Sequence, residues 1–235
     1  MPPKPRKRQK RSNEPQSAGQ DKHTLFTQWA LNQGIKINGV APTALPGRGI
    51  GLATTKRIKA DERLIFVPES AMLKPYERYQ TNSQLSPQAQ LSATLSTAAA
   101  AEEDDEQYNS CSAVWPTHND FRSSLLWLDP GIVKSKITPN AKQEYTDLLP
   151  LTLRKPLERV VADFENDMES LCTQLDGDVN DLDSEQDYYH WAISNTRSFH
   201  WKPPGRKTGR MVMCPFLDYM NHCPNGQGVS SRSFP

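Results

Sequence analysis

The sequence predicts an α+β protein in which a mainly α-helical middle separates two β-containing parts, behind a disordered basic tail. Three observations predict it. Leu157, Val160, Val161, Phe164, Met168, Leu171, Cys172 and Leu175 recur at the three-and-four spacing of one helix face. Short apolar runs at 35–37, 50–58 and 64–67, punctuated by Gly and Pro, read as strands. Residues 1–20 are proline, charge and small polar side chains without apolar period, too little to offset the entropy of ordering.

Composition narrows the class. The 235 residues suffice for one large domain or two small ones, while 36% hydrophobic residues and 19 prolines are lean for a wholly ordered chain. The formal net charge of +1 hides an asymmetry: residues 4–11 (KPRKRQKR) carry six basic side chains and no acid, leaving 22 basic against 27 acidic residues elsewhere. The body is therefore mildly acidic and only the tail is basic, the pattern of a nuclear import signal, a nucleic-acid tether or a solubilising tail. No apolar run approaches membrane-spanning length and no secretory signal is present, so the expectation is a soluble intracellular protein. Cys111, Cys172, Cys214 and Cys223 form no CxxC pair, which points to a reducing compartment. Cys214, His222 and Cys223 invite a zinc reading, but structural zinc needs four ligands at tighter spacing, and no metal is expected.

In chain order, residues 21–79 begin with Asp21, placed to cap a helix with Leu25, Phe26 and Trp29 on one face and Gly34 at its end. Ile35 and Ile37 suggest a short strand leading into a turn at residues 42–49. Residues 50–58 and 64–67 read as a hairpin about a turn at 59–63. Residues 80–110, poor in large apolar side chains and ending in an acidic run, read as a low-complexity, exposed, mobile insertion. Ordered sequence resumes at Trp115 and opens a helical insert over 111–193, whose apolar stripe is core. Ser184 and Asp187 resemble a capping box opening a helix that carries Tyr188 and Trp191 and ends near Asn195. Within 194–229, Arg197 and Phe199 alternate as on one face of an extended segment. Residues 202–210 (KPPGRKTGR) form a polar loop, and the apolar run 211–220 delivers Asn221 and His222 into a turn.

The segment GRGIGLAT at 47–54, the run NTRSF at 195–199 and PFLDYMNHCPNG at 215–226, in this order about a helical middle, resemble the SET domain of protein-lysine methyltransferases similar to the Rubisco large-subunit methyltransferase. The resemblance covers roughly residues 22–229. It implies SET-domain strands with a large helical insertion and transfer of a methyl group from S-adenosyl-L-methionine to a lysine amine, a reaction governed by positioning. It also implies that backbone groups of Gly47, Arg48 and Gly49 contact the cofactor, that Asn221 and His222 bind its adenine and amino-acid ends, and that Arg197 faces its carboxylate. Phe199 and Asp218 would line the substrate side, and the partner would be a histone or non-histone protein presenting a lysine. The family's catalytic tyrosine lies beyond the Asn-His motif, and no tyrosine follows that motif here. The expectation is therefore an N-terminal fragment with an incomplete pocket, closing in a truncated end at 230–235, and no catalytic residue is assigned. A nuclear or cytoplasmic location follows, the basic run favouring the nucleus. The alternative is a non-catalytic binding protein whose basic tail contacts nucleic acid.

Overall fold

The computed structural model describes residues 21–101, 105–122, 148–174 and 184–221. The basic tail, Leu175, the first part of the acidic run, His222 and Cys223 and the residues that follow lie outside the described residues.

Helix α1 spans Lys22–Asn32, with the Asp21 side chain accepting from the His23 amide. Its end follows from Gly34, which takes φ +80°, so that Gly34 N donates to Leu31 O and Ile35 N to Ala30 O. This pair of bonds satisfies the last carbonyls and turns the chain into the first strand. Phe26, Trp29 and Ala30 are buried, whereas Leu25 is 49% exposed and does not share their face.

The strands pair differently from the expected hairpin. β1 (Lys36–Ile37) pairs with β4 (Ile65–Phe66), and β2 (Val40–Leu45) pairs with β3 (Gly49–Thr54), each antiparallel. The cause is local. Pro46 and Gly47 (φ +73°) stand where a type II turn needs them, and Arg48 N donates to Leu45 O, so β2 folds straight back onto β3. Pro42 lies inside β2 rather than in the turn, which a two-stranded ladder tolerates. The turn at 59–62 does form, held by Glu62, which accepts from Lys59 N, Asn38 Nδ2 and Lys56 Nζ. These bonds hold its carboxyl down at about 2.

After a 3-10 turn at Glu69–Ala71 come α2 (Glu77–Gln80), α3 (Pro87–Ala99), α4 (Glu106–Ser112) and α5 (His118–Arg122). The expectation of an exposed insertion at 80–110 is overturned here: Leu91 and Leu95 of α3 are fully buried, and Ala89, Ala93 and Ala98 are buried beside them. Ser86 caps α3 by accepting from Ala89 N, and Pro87 occupies its first turn. Small side chains let neighbouring helices approach closely, and the buried Thr94 hydroxyl is satisfied by Gln90 O and Tyr76 N. Asp105, from the acidic run, caps α4.

Helix α6 (Leu151–Gln174) carries the amphipathic stripe, with Phe164, Leu171 and Cys172 buried as expected. Phe164 packs on Tyr188, Trp191 and Ala192 of α7 (Ser184–Arg197), and Leu171 packs on Ala89 and Ala93 of α3. Trp191 Nε1 donates to the buried Asp167 carboxylate of α6 at 2.8 Å. Asp187 accepts from Ser96 of α3, and the side chain of Ser184, its expected capping partner, lies outside the described residues. β5 (Phe199–Trp201) and β6 (Arg210–Val212) then form a hairpin, and a second 3-10 turn occupies Leu217–Tyr219. Among the described residues no helix is long and apolar enough to cross a membrane.

Candidate functional site

Three connections bring the N-terminal strands and the final motif together. Leu73 and Met213 exchange backbone hydrogen bonds of 3.1 and 3.0 Å, tying the segment after the first 3-10 turn to the end of β6. His23 Nδ1 of α1 meets the Tyr219 hydroxyl at 2.7 Å. The Asn221 side chain lies over Gly51 of β3, so closely that a Cβ at position 51 would stand 2.5 Å from Asn221 Nδ2 and 2.6 Å from Leu45 Cδ1. Gly51 is buried, and only a glycine admits this approach.

The local cause of the last contact is Phe216. This fully buried residue has φ +69° and ψ −36°, a conformation that costs a non-glycine residue about 1–3 kcal/mol. Its ring is held edge-on to Tyr219, and Tyr219 is in turn edge-on to Phe26. The bend reverses the chain after the buried run Val212, Met213, Cys214, and the following turn presents Asp218 toward α7 and Asn221 toward β3.

Arg197 is the last residue of α7, not part of an extended segment with Phe199, which opens β5. The Arg197 guanidinium donates from Nη1 to Asp218 Oδ2 at 2.7 Å, with the two side chains 28% and 17% exposed. Burial pushes the Asp218 carboxyl above its ordinary range, and Arg197 opposes that rise. Burial likewise raises the Tyr219 phenol and the Cys111 thiol, with Asp218 adding to both, and it pushes the Cys214 thiol up to about 11. These thiols are thus poor nucleophiles at neutral pH. Behind Asp218 and Tyr219 a small pocket is walled by Phe26, Trp115, Met213, Cys111 and Cys214.

Gly47, Arg48 and Gly49 sit at the exposed tip of the β2–β3 hairpin. Both glycines have positive φ, +73° and +71°, and a Cβ on either would meet open space, so the backbone conformation, not crowding, requires them. The crowded glycine is Gly51, two residues along the same strand and in the same GRGIGLAT segment. Its signal in the sequence was the third glycine in an alternating strand. The structure thus joins the glycine strand to Asn221, and Arg197 to Asp218, while Phe199 is 38% exposed on the neighbouring hairpin and His222 lies outside the described residues. Sequence reasoning also missed the pairing of His23 with Tyr219. Among the described residues no group of three or more His, Cys, Asp or Glu could hold a metal ion.

No family model matches the chain, and no curated protein sequence matches it. A solved structure does: the crystal structure of the SET domain of LSMT bound to lysine and AdoHcy, with a TM-score of 0.60 and 16% sequence identity. The match covers 89% of this chain and 45% of that one, so the chain spans under half the length of the protein it resembles. The fold is that of a SET domain, a mixed α+β architecture of small antiparallel sheets and helices.

Proposed function

We propose that this chain belongs to the S-adenosyl-L-methionine-dependent protein-lysine N-methyltransferases, and that the surface where β3, the end of α7 and the 217–221 segment meet is its cofactor face. The observation that carries the proposal is the contact of Asn221 with Gly51. A strand that has given up its Cβ makes a cradle for the Asn221 amide, which settles directly against β3 where any larger residue would push it away. The Asn221 amide, exposed at the end of the motif, offers both a donor and an acceptor.

When bound, the cofactor supplies a methyl group on a sulfonium sulfur. The residues of this chain position and exclude. The exposed residues 47–49 present main-chain groups at the tip of the β2–β3 hairpin. Arg197 has five guanidinium N–H groups, so partnering Asp218 leaves donors for an amino-acid carboxylate. The Asp218 carboxylate, with Phe199 farther out, suits a chain that brings in a lysine: negative charge for the ammonium and an aromatic face for its methylenes. The solved neighbour holds lysine and AdoHcy, which supports the same pair of ligands here. The protein partner, at a nuclear location suited to the basic run at 4–11, is part of the same proposal.

Ultraviolet cross-linking of radiolabelled S-adenosylmethionine followed by peptide mapping tests the placement. Label is expected on peptides containing residues 47–54 or 217–222. Label confined to α6 or the basic tail, or none above that of a denatured control, would overturn it.

A further inference from the structure

We propose that His23 of α1 is a positioning residue for the cofactor face: the neutral ring holds Tyr219, and through it the turn that carries Asp218 and Asn221, and protonation of the ring releases that hold. The inference rests on the reading of this face as the place of an S-adenosyl ligand. His23 and Phe26 stand three residues apart and so share one side of α1. Both reach the same phenol. His23 Nδ1 lies 2.7 Å from the Tyr219 hydroxyl with the two rings edge-on at 5.6 Å, and the Phe26 ring meets Tyr219 edge-on at 5.7 Å. The backbone under His23 is fixed as well, since Asp21 accepts from His23 N and Thr27 Oγ1 donates to His23 O. Tyr219 closes the second 3-10 turn, where Asp218 N donates to Cys214 O and Met220 N to Leu217 O. Asn221 follows two residues later with its amide against Gly51, so a displaced phenol displaces the amide too.

The bond has one satisfactory proton arrangement. Among the described residues the Tyr219 hydroxyl has no hydrogen-bond partner besides His23. Burial raises its phenol, with Asp218 adding to the rise, so Tyr219 keeps its proton and donates it to Nδ1. Nδ1 must then be bare, which places the ring proton on Nε2 and leaves the imidazole neutral. A protonated ring reverses the bond: Nδ1–H donates, and the phenol proton is turned toward the apolar wall of Phe26, Trp115 and Met213, where it has no acceptor. The charged and titratable groups about the pair are Asp21 and Lys22 on α1, Asp218 in the turn, Cys111 of α4 and Arg197 of α7. Partial burial lowers the His23 pKa from 6.5, with Asp21 opposing and Lys22 adding. The neutral ring therefore prevails at neutral pH, and its loss falls on the acid side. His23 is only partly buried, so protons from solvent reach it.

Titration of the full chain with S-adenosylhomocysteine from about pH 5.5 to about pH 8 tests this, beside the side-chain amide resonance of Asn221 in the isotope-labelled free protein over the same range. Two variants accompany the wild type: His23→Ala removes the acceptor, and His23→Asn supplies an amide oxygen that can accept from Tyr219 and does not titrate. Wild-type affinity is expected to fall about five-fold or more toward the acid end, and the Ala variant to be weaker by a similar factor throughout. The Asn variant should recover most of that loss with a flatter pH profile. The four other histidines are common to all three proteins, so a difference between the profiles belongs to His23. Without ligand, the Asn221 amide should follow the titration of the His23 ring in the wild type and lose that dependence in the Asn variant. Equal affinity of wild type and Ala variant at neutral pH, parallel pH profiles in wild type and Asn variant, or an Asn221 amide indifferent to the His23 ring would each overturn the proposal. Failure of the wild type to bind the ligand at every pH would overturn the cofactor reading instead, and the amide titration alone would then decide whether His23 positions the turn.

Discussion

Arg197 and Asp218, twenty-one residues apart, meet through a 2.7 Å charge-assisted hydrogen bond that clamps the end of α7 to the 3-10 turn at Leu217–Tyr219. Both side chains are largely withdrawn from water, so the pair carries more than a surface ion pair does. Removing the acceptor strands a half-buried guanidinium. Asp218→Ala is expected to lower stability by about 1–3 kcal/mol in urea denaturation at neutral pH, whereas Asp218→Glu, which can restore the bond, loses less.

His190 is fully buried at the crossing of α3, α4 and α7. Its Nδ1 lies 2.9 Å from Ser96 Oγ, and its Nε2 lies 2.9 Å from the Tyr108 hydroxyl and 3.0 Å from Gln186 Nε2. Ser96 donates to Asp187, so Nδ1–H donates to Ser96 and Nε2 accepts, which fixes a neutral tautomer. Burial holds its pKa down at about 4 against an ordinary 6.5. Below pH 6.5 the unfolded chain takes up a proton that the folded ring refuses. Stability from this group is therefore lost as pH falls from 6.5 toward 4, by about 3 kcal/mol in all. Urea midpoints measured across that window should fall steeply in the wild type and more gently in His190→Gln.

Gly51→Ala would push against two side-chain tips, Asn221 Nδ2 and Leu45 Cδ1, which can move aside. The fold should survive with a loss of about 1 kcal/mol, while the amide is displaced from its place over β3. If that place matters for ligand, binding of S-adenosylhomocysteine should weaken about ten-fold or more with little change in melting temperature of the free protein. A Gly51→Ala chain that binds as well as wild type would separate the cradle from the cofactor.

Leu95, fully buried in α3, tests the burial of a segment whose composition suggests exposure. Leu95→Ala should cost about 2–5 kcal/mol in chemical denaturation. Amides of residues 90–99 should rank with those of α7 in resistance to hydrogen exchange; rapid exchange across them would contradict the packing described.

Where periodicity was strong the sequence spoke plainly. The stripe from Leu157 to Cys172 forecast a core helix, Gly34 forecast the end of α1, and the order of the GRGIGLAT, NTRSF and DYMNH segments indicated the SET fold. α3 was illegible because only Leu91 and Leu95 of its buried face are large, and the rest is Ala, Ser and Thr, small side chains that close packing accepts but that leave a weak apolar period. Strand pairing was misjudged because two turns competed, and the Pro46–Gly47 turn closed the shorter loop. The partners of the candidate site residues were not legible. Nothing local tells Arg197 that Asp218 lies across from it, since that depends on the positive φ of Phe216 and on how α7 packs. The glycines at the exposed hairpin tip, Gly47 and Gly49, and the crowded Gly51 look alike in sequence, and only the third dimension separates a glycine needed for its backbone angle from one needed for space.

Isothermal titration of the purified chain with S-adenosylhomocysteine, wild type beside Asn221→Ala, tests the cofactor assignment most directly. Saturable binding by the wild type and at least about a ten-fold loss in the variant are expected, with the two proteins melting within a few degrees of each other. Absence of binding to the folded wild type, or equal affinity in both, would contradict that assignment.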